Sequence, residues 1–443
     1  MEIVGAFLLI LIIILGVSKN WKLAIKFILV LVIIEGALRR WAFPQARDLI
    51  YFLKDFILIG SYIGFVSQPR PLVDRYPLIK EITLVISIVC VLQAFNPSLG
   101  SPIIGLLGVK FYLLYIPLIW VIPYLFDSEK DLQSFLQKYL LLLIPICILG
   151  IAQYFSPPDS VINVYSPDGA AANASVGEFV RITGTFSYLA GHTTYMAICF
   201  SLLIVLISRE KLIRWQMIYS IELILVMANS FMSGSRGLII YESLFIVSYI
   251  LFLFFNSPKI ALTSIRSLLV ILTIATITTI VYFQPAIQAL SDRATNSGDS
   301  VEERIVGSFT QVVDFSSIRL DGYGTGATQS GANSLRSFLE LPAGEELPPS
   351  EGETGRVVIE IGMLGFILWY GLRIILLISI FSVFLRLKNP FYKQLALAIF
   401  LFQAINLTGQ LVTNPTMVVY FWFFSGFIYL LPILEEKEIL RID

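Results

Sequence analysis

Residues 3–17 read IVGAFLLILIIILGV, residues 18–22 read SKNWK, and residues 23–41 read LAIKFILVLVIIEGALRRW. Two continuous apolar runs flank a lysine-bearing turn, and the second run ends on paired arginines. Runs of this length without alternation argue helices that cross a bilayer; strands of a membrane barrel would alternate. The first run lacks a basic leader and a small-residue cleavage site, so it reads as a retained span and not a signal peptide.

The same pattern continues outward along all 443 residues. The spans read Ile3–Val17, Leu23–Leu38, Leu49–Val66, Ile82–Phe95, Leu106–Phe126, Tyr139–Phe155 and Leu189–Ile207. They continue as Trp215–Met232, Gly237–Phe255, Ser267–Phe283, Arg356–Leu385, Gln394–Leu411 and Met417–Leu434. The Arg356 run is long enough to begin as a tilted or broken helix. With 57% apolar and 14% charged residues and a mean hydropathy of +0.82, the chain lies far outside the soluble range. The expected fold is all-α: one polytopic transmembrane bundle, residues 1–443, of about 12–13 spans. Cys90, Cys147 and Cys199 fall in apolar runs, so buried free thiols are expected and no disulfide framework.

The loops alternate in charge. One set carries Lys19, Lys22, Lys80, Lys130, Lys138, Lys211, Lys259, Lys388, Lys393 and Lys437, and the positive-inside rule makes it cytoplasmic. The N-terminus is then outside and the C-terminus inside. The other set carries Arg39, Arg40, Arg47, Arg181, Arg236, Arg293, Arg304, Arg319, Arg336 and Arg356, without a lysine. Topology gives no reason to exclude lysine there. Guanidinium forks are what bidentate recognition of phosphate or carboxylate needs, so the outer face reads as built to grip an anion.

Two outer segments are large. Residues 156–188 are rich in Pro, Gly, Asn and Ser. Residues 284–355 carry an expected amphipathic helix around Val301–Phe315 and then the glycine-rich stretch Asp321–Gly331, together an ordered cap over the bundle. Ionisable residues within spans are costly and usually functional. Glu35, Lys54, Asp55, Lys110, Glu242 and Glu360 fall toward the outer ends, with Glu222 and Arg373 deeper. For Lys54 and Asp55 simple pairing is the plain alternative, and for Arg373 a structural bond to a backbone carbonyl or a carboxylate. Transporters place coupling groups near the midplane; a cluster displaced outward suits an enzyme acting on a lipid headgroup.

Four stretches then combine. They are Glu35-Gly-Ala-Leu-Arg39-Arg40-Trp41; Arg181-Ile-Thr-Gly184-Thr-Phe-Ser187 with Gly191-His192; Ser233-Gly-Ser235-Arg236-Gly237; and Gly322-Tyr-Gly324-Thr-Gly326 with Glu351-Gly-Glu353-Thr-Gly-Arg356 and Glu360-Ile-Gly362-Met-Leu-Gly365. Over roughly residues 140 to 430 this set resembles the bacterial O-antigen ligase and polymerase family. The resemblance implies a multi-spanning glycosyltransferase whose donor glycan rides on undecaprenyl pyrophosphate, an acceptor glycan, and flippase and length-regulating partners. It departs at one point. The family's ligases carry a histidine in the large outer loop, whereas His192, the single histidine here, lies elsewhere. Glu351 or Glu353 occupies about the equivalent place, which favours a polymerase over a ligase.

The implied reaction joins an acceptor hydroxyl to the donor's anomeric carbon, and lipid pyrophosphate departs. Donors aimed at the developing charge are the largest catalytic term. Arg181 and Arg236 are the first choices, with Arg39, Arg40, Arg356, Glu360 and His192 as substrate-binding candidates and Glu353 or Glu351 as general base. The plain alternatives are interfacial anchors for the arginines, a helix-start residue for His192, and for Glu360 a partner of Arg356 one turn away. No Asp-x-Asp and no His or Cys cluster has metal-ligand spacing, so neither metal nor cofactor is expected. The Gly322–Gly326 turn lacks the Lys-Ser/Thr of a nucleotide loop, and no nucleic-acid partner is expected. A transporter or flippase of lipid-linked glycans is the reading from a different class.

Overall fold

The computed structural model describes residues 2–69, 75–163, 175–176, 179–209, 212–282, 284, 287–288, 319–350 and 352–442. The apolar runs become helices. The first half of the chain forms α1 (Glu2–Ser18), α2 (Trp21–Ala37), α3 (Arg47–Val66), α4 (Pro77–Ala94), α5 (Pro102–Leu113), α6 (Leu118–Val121), α7 (Glu129–Leu140) and α8 (Leu143–Phe155). After a two-residue antiparallel ribbon, Ser175–Val176 with Phe179–Val180, come α9 (Leu189–Arg209), α10 (Ile213–Met232), α11 (Arg236–Asn256) and α12 (Pro258–Tyr282). The chain closes with α13 (Gly331–Phe338), α14 (Glu353–Arg386), α15 (Pro390–Ile405), α16 (Pro415–Ser425) and α17 (Phe427–Ile442). Among the described residues eight helical stretches are long and apolar enough to cross a membrane. The molecule is an all-α, multi-pass bundle. Residues Val301–Phe315, where an amphipathic helix was expected, lie outside the described residues, as do Arg293 and Arg304.

Several spans are less regular than their hydropathy. The run 106–126 is not one helix: α5 ends at Leu113, α6 is a single turn, and a 3-10 turn covers Ile122–Tyr124. Pro117 and Pro123 remove amide donors there, so the ladder cannot run through. The helix in the run 394–411 stops at Ile405, and residues 406–414 are irregular until Asn414 caps α16 by accepting from Thr416 N and Met417 N. The long run does break: α14 starts at Glu353 and is interrupted at Gly362, where φ is 69° and ψ 179°.

The core centres on α9, α16 and α17, enclosed on nearly every side. At the edge, α3 lies against α1 through Gly60 and Gly64. A Cβ on Gly64 would stand 2.1 Å from the Ser18 carbonyl oxygen, so only glycine permits this approach.

Hydrogen bonds and ion pairs tie the loops into two opposite ends. At the lysine-bearing end Lys22 pairs with Asp127 at 3.5 Å, Arg75 with Glu436 at 2.5 Å, and Asn389 Nδ2 donates to Glu129 at 2.6 Å. At the arginine-bearing end Trp41 Nε1 donates to the Val161 carbonyl at 3.0 Å, and Asn96 Nδ2 to that of Gly322 at 3.1 Å. The segregation read from charge alone is therefore also spatial.

Candidate functional site

The turn between α10 and α11 presents the first candidate. Ser233 closes α10, Gly234 takes φ 61°, and Ser235 caps α11 with its hydroxyl accepting from Leu238 N. Arg236 is thus the first helical residue, half-buried, and among the described residues its guanidinium has no hydrogen-bond or ion-pair partner. Arg181 reaches this turn from the segment before α9, Nε donating to the Ser233 carbonyl at 3.1 Å. A helix N-terminus with two guanidiniums beside it is an environment suited to an anion. Beneath it, Ser230 Oγ donates to Glu242 at 2.5 Å.

The segment 181–187 is clamped by Gln153, buried in the last turn of α8. Its amide nitrogen donates to the carbonyls of Ile162 (2.8 Å) and Gly184 (3.0 Å), and its oxygen accepts from Gly184 N at 2.7 Å. Sequence reasoning missed Gln153, although a lone amide inside an apolar run was the available signal. Arg40 joins the first motif to the second: its guanidinium donates to Gly184 O at 2.9 Å, Thr183 Oγ1 at 3.3 Å and Gly36 O at 3.3 Å. It ties elements together through neutral acceptors. Arg39 donates to the Arg47 carbonyl at 3.2 Å and stands 4.0 Å from Glu35.

Lys54 and Asp55 do pair, though not with each other. Lys54 reaches Glu35 at 2.6 Å, and Asp55 takes Lys110 at 2.6 Å and the Tyr115 hydroxyl. Arg39, Lys54 and Lys110 all stand 4.3–5.0 Å from the centre of the Tyr51 ring.

A third group forms where α14 breaks. Gly362 leaves the carbonyls of Ile359 and Glu360 without helical donors, and Tyr323 N (2.7 Å) and Gly324 N (2.9 Å) take them. The glycine-rich turn is therefore a docking strip for the break. Thr328 follows it, and its amide (2.9 Å) and hydroxyl (2.7 Å) both donate to Glu360 Oε1, while its carbonyl accepts from Arg356 at 3.1 Å. Arg356 and Glu360 thus meet through Thr328 and not through a direct ion pair. Glu360 Oε2 is buried and has no hydrogen-bond partner among the described residues.

Glu353 is buried in the first turn of α14, and one oxygen accepts from Leu411 N (2.8 Å) and Val412 N (2.6 Å). It holds the irregular 406–414 segment, together with Gln329, which donates to Val412 O at 3.2 Å, and Arg373, which donates to Asn406 O at 2.8 Å. Irregular backbone at membrane depth needs such partners. Arg373 meets the structural expectation for it. Asn414 carries the connection on to Ala190 O and Thr194 Oγ1, at 3.2 and 3.1 Å. The motifs thus share the arginine-bearing end as one connected belt.

His192 is wholly buried against Phe186 and the Gly184 turn, and among the described residues neither ring nitrogen has a partner. Glu351 lies outside the described residues. At the rim, Arg319 pairs with Asp321 (3.0 Å) and Glu345 (2.8 Å); its hydrogen bond holds the Asp321 carboxyl below the ordinary carboxylate range. Comparison with protein-family models and with curated proteins returned no match.

Proposed function

We propose that this chain is a membrane glycosyltransferase of the O-antigen polymerase type, with O-antigen ligation as the near alternative. It lengthens glycans in the inner membrane of a bacterium, its arginine-bearing end facing out. The acceptor oxygen bonds to the donor's anomeric carbon, the bond to the undecaprenyl pyrophosphate oxygen breaks, and the diphosphate leaves with the electron pair.

One observation carries this reading. Arg236 offers an uncommitted guanidinium at a helix N-terminus, beside Arg181, where a departing diphosphate would be neutralised. Arg40 is committed to two carbonyls and the Thr183 hydroxyl and serves to position the 181–187 segment. Glu353 is committed to the 411–412 amides, so Glu360, whose buried Oε2 has no partner among the described residues, is the better acceptor for the hydroxyl proton.

The test is purified protein in lipid vesicles given undecaprenyl-pyrophosphate-linked repeats, with glycan length read on gels. Wild type makes longer glycan. Arg236→Lys, which keeps the charge and loses the fork, lowers turnover by about 10²-fold. Unchanged turnover in that variant removes the argument. One observation favours a transporter instead: Glu222 is wholly buried within α10 and neither of its oxygens has a partner among the described residues. Repeats that cross the bilayer unchanged in the same vesicles decide for that reading.

A further inference from the structure

An open cleft of about 450 Å³ lies at the arginine-bearing end, between the start of α13 and the irregular segment 343–347. Its lining includes Ser98, Thr328, Gln329, Ser330, Asn333, Arg336 and Glu345. That volume is within the range of small-ligand pockets, ~300–1,000 Å³.

The walls are already organised by their own bonds. Arg336 donates through Nη1 to Asn333 Oδ1 at 3.1 Å and through Nη2 to Leu99 O at 3.3 Å, one turn of α13 tied to the loop below. Glu345 accepts from Ser98 Oγ at 2.9 Å and from Arg319 at 2.8 Å. Charge balances inside the cleft: Arg336 supplies one cation and Glu345 one anion. A phosphate would meet a carboxylate and a guanidinium fork already in use. What the lining still offers is the Asn333 amide nitrogen, the Ser330 hydroxyl and the Gln329 amide oxygen, a mixture of neutral donors and acceptors. That mixture matches vicinal hydroxyls. The floor residue Thr328 is also the one that joins Arg356 to Glu360.

We infer that this cleft is a carbohydrate subsite, which holds the acceptor glycan by its hydroxyls against Thr328, the lining residue that hydrogen-bonds Glu360. The acceptor role rests on the transferase reading; hydroxyl recognition by the cleft does not.

The experiment uses the full chain in nanodiscs and lipid-free oligosaccharide repeats released from the host cell's own surface polysaccharide. Calorimetric titration should show saturable binding to wild type. Ser330 and Asn333 are exposed, so Ser330→Trp fills the cleft and Asn333→Ala removes an amide without touching the core. Ser330→Trp weakens binding by about tenfold or more and Asn333→Ala by about five- to tenfold, at unchanged melting temperature. Added inorganic pyrophosphate does not displace the sugar. In the elongation assay the loss falls on the acceptor KM and not on the donor KM. Absent binding, or binding indifferent to both variants, overturns the subsite. Elongation with unaltered acceptor KM in both variants overturns the acceptor role and leaves the transferase standing. Cleft-dependent binding without any elongation does the reverse.

Discussion

The two buried ion pairs show how neighbouring residues are put to separate tasks. Adjacent positions on a helix point about 100° apart, so Lys54 and Asp55 cannot face one partner. Lys54 turns to Glu35 on α2, and Asp55 turns to Lys110 on α5. The Lys54 side chain is only 1% exposed, and its charge depends on Glu35 for compensation. Removing one partner of a buried pair leaves the other charge stranded, at a cost of about 3–5 kcal/mol. Lys54→Met should therefore lower the melting temperature in detergent markedly, and adding Glu35→Gln should recover most of the loss. A single variant that melts with wild type would show the pair to be without structural weight. That these side chains were costly was legible in the sequence, because charges stand out in apolar runs. Their partners were not, since Glu35 and Lys110 lie on other helices and only packing brings them in.

The break in α14 is an element whose purpose appears only with its partner in place. Run length alone announced that a 34-residue helix would be tilted or interrupted. Nothing local says that the glycine-rich turn would fill the gap. The two interlock: a Cβ on Gly362 would stand 2.3 Å from the Leu320 carbonyl oxygen, and one on Gly322 would stand 2.6 Å from Gly362 N. Gly362 also occupies φ 69°, which costs other residues about 1–3 kcal/mol. Gly362→Ala should undock the turn, exposing the Tyr323 and Gly324 amides that Ile359 and Glu360 now bind. Amide hydrogen exchange reads this directly: both amides exchange faster in the variant, while α9 stays protected. Equal protection in variant and wild type would mean the interlock is not what seats the turn. Glu353, read as a loop residue, is a helix-start residue that secures the 406–414 segment. Its role depends on where α15 stops, a stop that Asn406 and Gly409 mark in the run 394–411 but that its hydropathy hides.

At the scale of the molecule, the two ends differ in kind. The lysine-bearing end is short turns closed by ion pairs, whereas the arginine-bearing end carries the cleft, the Arg236 turn and the helix break. The proposed chemistry requires the second end to face the compartment where lipid-linked glycans are joined, outside the cytoplasm. Charge already argues that orientation, because lysine-rich loops stay inside. The native cysteines make the test clean: Cys90, Cys147 and Cys199 are all buried, so a new surface thiol reports alone. Asn333→Cys samples the arginine-bearing end. Asp127→Cys samples the other and gives up only the exposed Lys22 pair, worth little to stability. In right-side-out vesicles a membrane-impermeant maleimide should label Asn333→Cys at once and Asp127→Cys only after lysis. The opposite pattern would place the arginines in the cytoplasm, where the donor's diphosphate would have to be met before the lipid-linked glycan had crossed the membrane.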